Sequence, residues 1–146
     1  MSRSFNGSSD KATGSAGVTD VPVTIAGWFY CTTTSGVQRM AQLCTIDSEN
    51  VLAGILLNYP SGGNVSGQTY HLGSNVLPAS SASFSVDTWA HAAYVVSALD
   101  SHVIYLNGGN SGSSSSIALP VGTDSMAVGV NTSGSHDDSF LSGRAA

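Results

Sequence analysis

The residues able to do chemistry are few, and their spacing narrows what they can do. Glu49 is the sole glutamate and stands two positions from Asp47. If extended, the two carboxylates would lie about 7 Å apart on one side of a strand, within the roughly 6.5 to 9.5 Å of an inverting glycosidase. They alternate with Ser48 and Asn50, however, and a run of such residues forms turns. Asp137 and Asp138 adjoin in His136 to Ser139 and offer oxygens to Ca²⁺, which takes about six to eight. Neighbouring side chains point apart unless the loop bends, so a solvated loop is the simpler account. His71, His91, His102 and His136 show no His-x-x-x-His spacing and no cysteine pattern suited to zinc. The serines are too numerous to single out a triad, and no nucleophile elbow is visible. What remains is recognition of hydroxylated ligands, in which aromatic rings stack on pyranose faces while amides and imidazoles bond hydroxyls. Tyr59, Tyr70, His71, Asn131 and His136 are the candidates, at predicted loops and strand rims. Trp28 and Trp89 lie inside the strongest predicted strands and are expected in the core.

The elements that must position these residues are strands. Trp89 to Gly109 reads as an antiparallel hairpin, in which Trp89, His91, Ala93 and Val95 alternate with Ala90, Ala92, Tyr94 and Val96. A bend at Ser97 to Ser101 leads to His102 through Leu106, and Asn107-Gly108-Gly109 supplies residues that tolerate positive φ. Both faces are apolar enough to predict a strand covered on both sides. The register stays open: pairing Val96 with His102 or with Val103 exchanges the faces of Tyr94 and Tyr105. Other strands are predicted near Phe5, over Val21 to Cys31, around Met40 to Ile46, and over Val51 to Tyr59. Further ones are predicted over Thr69 to Leu72, Ser113 to Leu119, Ser125 to Val130 and Phe140 to Ser142. Asn58 to Gly67 reads as an open loop. No helical spacing persists for three turns, so the 146 residues form one all-β domain, an antiparallel β-sandwich or jelly roll.

Composition excludes other classes. The net charge is −5, with one lysine and three arginines, which argues against a nucleic-acid partner bound through its phosphates. No apolar run reaches the roughly 20 residues that span a bilayer, so no membrane partner is expected. Charged residues make up 9% of the chain, against roughly 25% in an average soluble domain, so the surface must be Ser, Thr, Gly and Asn. The start, MSRSFNGSSDK, lacks the apolar core of a signal peptide. Folding about Val37 and Gln38 sets Cys31 opposite Cys44, but without export two reduced, buried thiols are expected.

Four segments taken together, Phe5-Asn6-Gly7-Ser8-Ser9-Asp10, Thr24 to Phe29, Trp89 to Ala93 and Tyr105-Leu106-Asn107-Gly108, resemble the laminin-G-like branch of the concanavalin A-like jelly rolls. The resemblance extends to small laminin-G-like virion proteins of tailed bacteriophages. It implies a non-enzymatic structural or adhesive virion protein, a capsid decoration or tail subunit that binds glycans. The alternative is a free carbohydrate-binding module. Jelly-roll glucanases need two Glu flanking an Asp, which a chain with one Glu cannot supply. No cofactor is expected beyond Ca²⁺ at Asp137 and Asp138. Phe140 to Arg144 resembles only the start of the closing strand. A missing closing strand would leave an open edge at Phe140 to Ala146, to be covered by other virion proteins or copies of the same chain.

Overall fold

The two alternating sets of the Trp89 hairpin separate onto opposite faces of a sheet, and only one of those faces is buried. The computed structural model describes residues 1–18, 20–45, 50–71, 73–117, 123–132 and 138–146. Its strands are β1 (Arg3–Asn6), β2 (Ala12–Ser15), β3 (Val23–Cys31), β4 (Gln38–Cys44), β5 (Val51–Leu57), β6 (Asn64–His71) and β7 (Ser74–Val76), followed by β8 (Ala79–Ser83), β9 (Trp89–Ala98), β10 (Ser101–Leu106), β11 (Gly109–Ser114), β12 (Ser125–Val128) and β13 (Ser142–Ala145). Among the described residues there is no helix. One sheet has six strands in the order β1-β13-β3-β9-β10-β11. The other has seven, ordered β2-β12-β4-β5-β6-β7 with β8 also on β6. Neighbouring strands in both are antiparallel, and the fold is a concanavalin A-like jelly-roll sandwich.

The register of the hairpin is settled by Val96 pairing with His102, which sets Tyr94 opposite Ile104 and Tyr105 opposite Ala93. Tyr94 and Ile104 are fully buried among Phe29, Ile55, Leu57 and Leu106 between the sheets. Asn107 and Gly108 turn the chain from β10 into β11 with φ of 53° and 74°. That is the double positive φ of a two-residue hairpin turn, for which Asn-Gly is suited. Asn107 also clips the turn to β9, its Oδ1 accepting from the His91 N–H at 2.9 Å.

A polar chain crosses the core. The Tyr94 hydroxyl lies 2.9 Å from Thr69 Oγ1 and 3.0 Å from His102 Nδ1, and His102 Nε2 lies 2.9 Å from the Leu99 carbonyl. That carbonyl can only accept, so in the neutral imidazole Nε2 carries the proton and Nδ1 accepts from Tyr94. The chain joins β9 and β10 of one sheet to β6 of the other. The Tyr94 ring occupies the space above Gly67, where a Cβ would stand 2.1 Å from the ring carbons.

Several expectations change. Residues 12–15 form a strand that the small polar sequence conceals, and β6 begins at Asn64, inside the stretch read as an open loop. The segment following Asn107-Gly108 pairs at once as β11, four residues earlier than expected. The largest correction concerns the closing strand: Ser142–Ala145 lies between β1 and β3, pairing with both. Phe140 to Ala146 is therefore no open edge, because the backbone of β13 is satisfied on each side and Leu141 is buried in the core. Cys31 and Cys44 belong to different sheets and are free and buried. Burial pushes both thiols above their ordinary pKa.

Candidate functional site

The outer side of the seven-stranded sheet holds a buried cation. A register shift between Arg39 and Ala41 sends Met40 and Ala41 both into the core, and Arg39 lies on the opposite side. Its guanidinium rests against Gly54 of the neighbouring strand, where a Cβ would come within 2.5 Å of Nη1. A side chain at 54 would therefore force the guanidinium to move. Gly54 pairs with Gln42 on one side and Gln68 on the other, so two amides flank the guanidinium. Together with Val51, Tyr70, Asn75, Asn131 and Asp138, Arg39 and Gln68 line an open cup of about 320 Å³.

Arg39 is 3% exposed. Among the described residues its Nε and Nη1 have no hydrogen-bond partner, and neither do Gln42 Oε1 and Gln68 Oε1. Burial lowers its pKa to about 10, against the opposing charge of Asp138, and it remains a cation at neutral pH. Unpaired buried donors and acceptors are uncommon and each costs about 1 to 3 kcal/mol. Of these, the donors of Arg39 and the acceptor of Gln68 belong to residues that line one cup. Asp138 is fixed at the rim. Asn131 and Asp138 exchange main-chain bonds of 2.9 and 3.1 Å, and Asn131 Nδ2 donates to Asp138 Oδ1 at 2.9 Å.

Of the residues expected to bind sugar, Tyr70 and Asn131 line this cup, joined by Asp138 from the expected calcium pair. Tyr59 follows the far end of β5, beyond the Leu57–Val65 pair, and His71 follows Tyr70 on the alternate side of β6. Neither lines the cup. His136 and Asp137 fall outside the described residues, as do Asp47 and Glu49. Among the described residues no three His, Cys, Asp or Glu side chains converge on a point. Arg39, Gln68 and Asn75 are functional candidates that sequence reasoning missed. The available signal was an arginine, one of three in the chain, next to the apolar residues Met40 and Ala41.

The six-stranded sheet carries a second feature on its outer face. Trp28 is 52% and Trp89 39% exposed, which overturns their expected place in the core. Trp28 pairs with His91 and Tyr30 with Trp89 across β3 and β9. The rings meet edge-on at 5.3 Å and tilted at 5.8 Å, and the Arg144 guanidinium lies 5.5 Å from the centre of the Tyr30 ring. Alternation had separated Trp89 from Ala90, Ala92 and Tyr94; what it could not say is which set faces water.

A family model described as the concanavalin A-like lectin/glucanases superfamily matches residues 5–144. No curated protein matches the chain. Solved structures do, among them a SAP-like pentraxin from Limulus polyphemus, with a TM-score of 0.78 and 14% identity over 99% of this chain and 72% of that one. The IT-sialidase CBM40 of Ruminococcus gnavus, bound to α2,3 sialyllactose, has a TM-score of 0.72 and 10% identity over 99% of this chain and 89% of that one. Mouse laminin α1 chain domains LG4-5 give 0.68 and 16%, over 96% of this chain and 38% of that one. At such identities the likeness is one of fold, and the chain spans well under half of the laminin fragment.

Proposed function

Because the chain belongs to the concanavalin A-like lectin/glucanases superfamily, we propose that it is a non-catalytic binding domain that takes a glycan in the Arg39 cup and acts as an adhesive or decoration subunit of a virion. The observation that carries the binding reading is the cup lining, where Arg39 brings the unpaired Nε and Nη1 donors and Gln68 an unpaired amide oxygen. A sugar presents hydroxyls that donate and accept at once and so answers both, while the Tyr70 ring at the cup wall offers an apolar surface to a pyranose face. The Ruminococcus module of similar fold, bound to sialyllactose, supports the same reading.

The virion setting is supported by the resemblance of Phe5 to Asp10 and the three later segments to phage laminin-G-like proteins, and by a surface with a single lysine. A glycan array probed with the chain and with Tyr70→Ala tests the binding: retention on particular glycans that is lost in the variant is expected, and a blank array refutes it. Cosedimentation with purified phage particles tests the setting, since a virion subunit attaches saturably and a free module stays in the supernatant.

A further inference from the structure

We infer that the ligand of the Arg39 cup is an acidic sugar, one carboxylate on a polyhydroxylated ring; this rests on the glycan reading above and specifies it. A guanidinium that is 3% exposed, with Nε and Nη1 unpaired, lacks two things: hydrogen-bond acceptors and a compensating charge. Neutral hydroxyls supply the first. A carboxylate supplies both, and charge-assisted bonds are about twice as strong as neutral ones. Among the described residues the compensation is incomplete. Asp138 acts on Arg39 through its charge, but it is exposed at the rim and turned toward Asn131.

The rest of the cup describes what surrounds the carboxylate. Asp138 is an acceptor that repels a compact dianion such as phosphate yet receives hydroxyl protons. The Gln68 oxygen likewise needs a donor, and a sugar ring brings several hydroxyls where hydrogen phosphate brings one. The combination of one buried cation, an unsatisfied acceptor and an aromatic wall at Tyr70 matches a uronic-type or related sugar acid. Gly54 makes this arrangement available, because any side chain there would displace the guanidinium from the floor.

The test is an NMR titration of the full chain with four probes: a glucuronic-acid-containing disaccharide, its methyl ester, the corresponding neutral disaccharide and inorganic phosphate. The acid is expected to bind at least tenfold tighter than its ester and the neutral sugar, with shifts at Tyr70, Asn75 and Asn131, and phosphate to compete poorly. Arg39→Met, shown to be folded by its thermal melt, is expected to lose that tenfold preference. Equal binding of acid and ester overturns the inference and leaves the glycan reading standing. Competition by phosphate at matching concentration overturns it in favour of a simple anion site. No binding of any sugar refutes the inference and the glycan reading together.

Discussion

Replacing Arg39 by methionine is expected to stabilise the unliganded protein while removing its preference for an acidic sugar. Burial lowers the guanidinium from its ordinary value to about 10. A cation whose pKa falls on folding is disfavoured in the folded state at every pH below the lowered value, so at pH 7 the cost is present in full. At about 1.4 kcal/mol per tenfold, the displacement corresponds to at most about 3 kcal/mol. Methionine keeps an unbranched apolar stem, removes the unpaired Nε and Nη1, and leaves no uncompensated charge. Exchanging buried ionic groups for apolar ones of similar volume is often neutral or stabilising by about 1 to 4 kcal/mol. Urea denaturation at pH 7 should place Arg39→Met about 1 to 3 kcal/mol above the wild type, a rise in Tm of several degrees, and added acidic sugar should stabilise the wild type alone. A variant less stable than the wild type by more than about 1 kcal/mol would refute the reasoning, because Arg39 would then be a structural residue satisfied in the folded protein.

Three further outcomes follow from the core and the outer face. Burial raises Tyr94 to about 12 from its ordinary 10; the unfolded chain ionises first, so this group's contribution, complete below pH 10, is lost as pH rises toward 12. It amounts to about 3 kcal/mol. The difference in urea midpoints between wild type and Tyr94→Phe should shrink over that range, a comparison from which Arg39, relieved over the same pH window, drops out; a constant difference counts against the buried phenol. Gly67→Ala drives a Cβ to within 2.1 Å of the Tyr94 ring and should cost about 2 kcal/mol or more by overpacking, with near-wild-type stability in the melt as the contrary result. Trp28→Ser removes a ring that is half exposed and should change stability by less than about 1 kcal/mol, whereas a core tryptophan would cost about 3 to 5.

The sandwich was legible because its signals are local. Alternation over Trp89 to Val96 and the Asn107-Gly108 turn depend on residues close in sequence, and both emerge as read. Which face of a strand is buried is decided by the other sheet. Trp28 and Trp89 therefore point outward, against expectation, while the smaller Ala90 and Ala92 belong to the core with Tyr94 and Phe29. The cup was less legible for the same reason. Tyr70 and Asn131 were identified from residue type, but the burial of Arg39 depends on the absence of a side chain at Gly54, on another strand. The strand at 142–145 was hidden because Ser-Gly-Arg-Ala carries no apolar pattern; its place is fixed by backbone bonds and by Leu141 just before it.

That strand governs the order in which the six-stranded sheet can assemble. Within the sheet β1 touches only β13, and β13 joins β1 to β3, with Arg3 opposite Ala145 and Phe5 opposite Gly143. The two ends of the sequence must therefore meet before the N-terminal strand has a neighbour in that sheet. The β9–β10 hairpin closes a two-residue loop, whereas this pairing closes one spanning nearly the whole chain, and such nonlocal pairings form late and slowly. The hairpin is the natural nucleus and the β1–β13 pair the final seam, so a destabilising change in β13 should mainly speed unfolding and one in the hairpin should mainly slow folding.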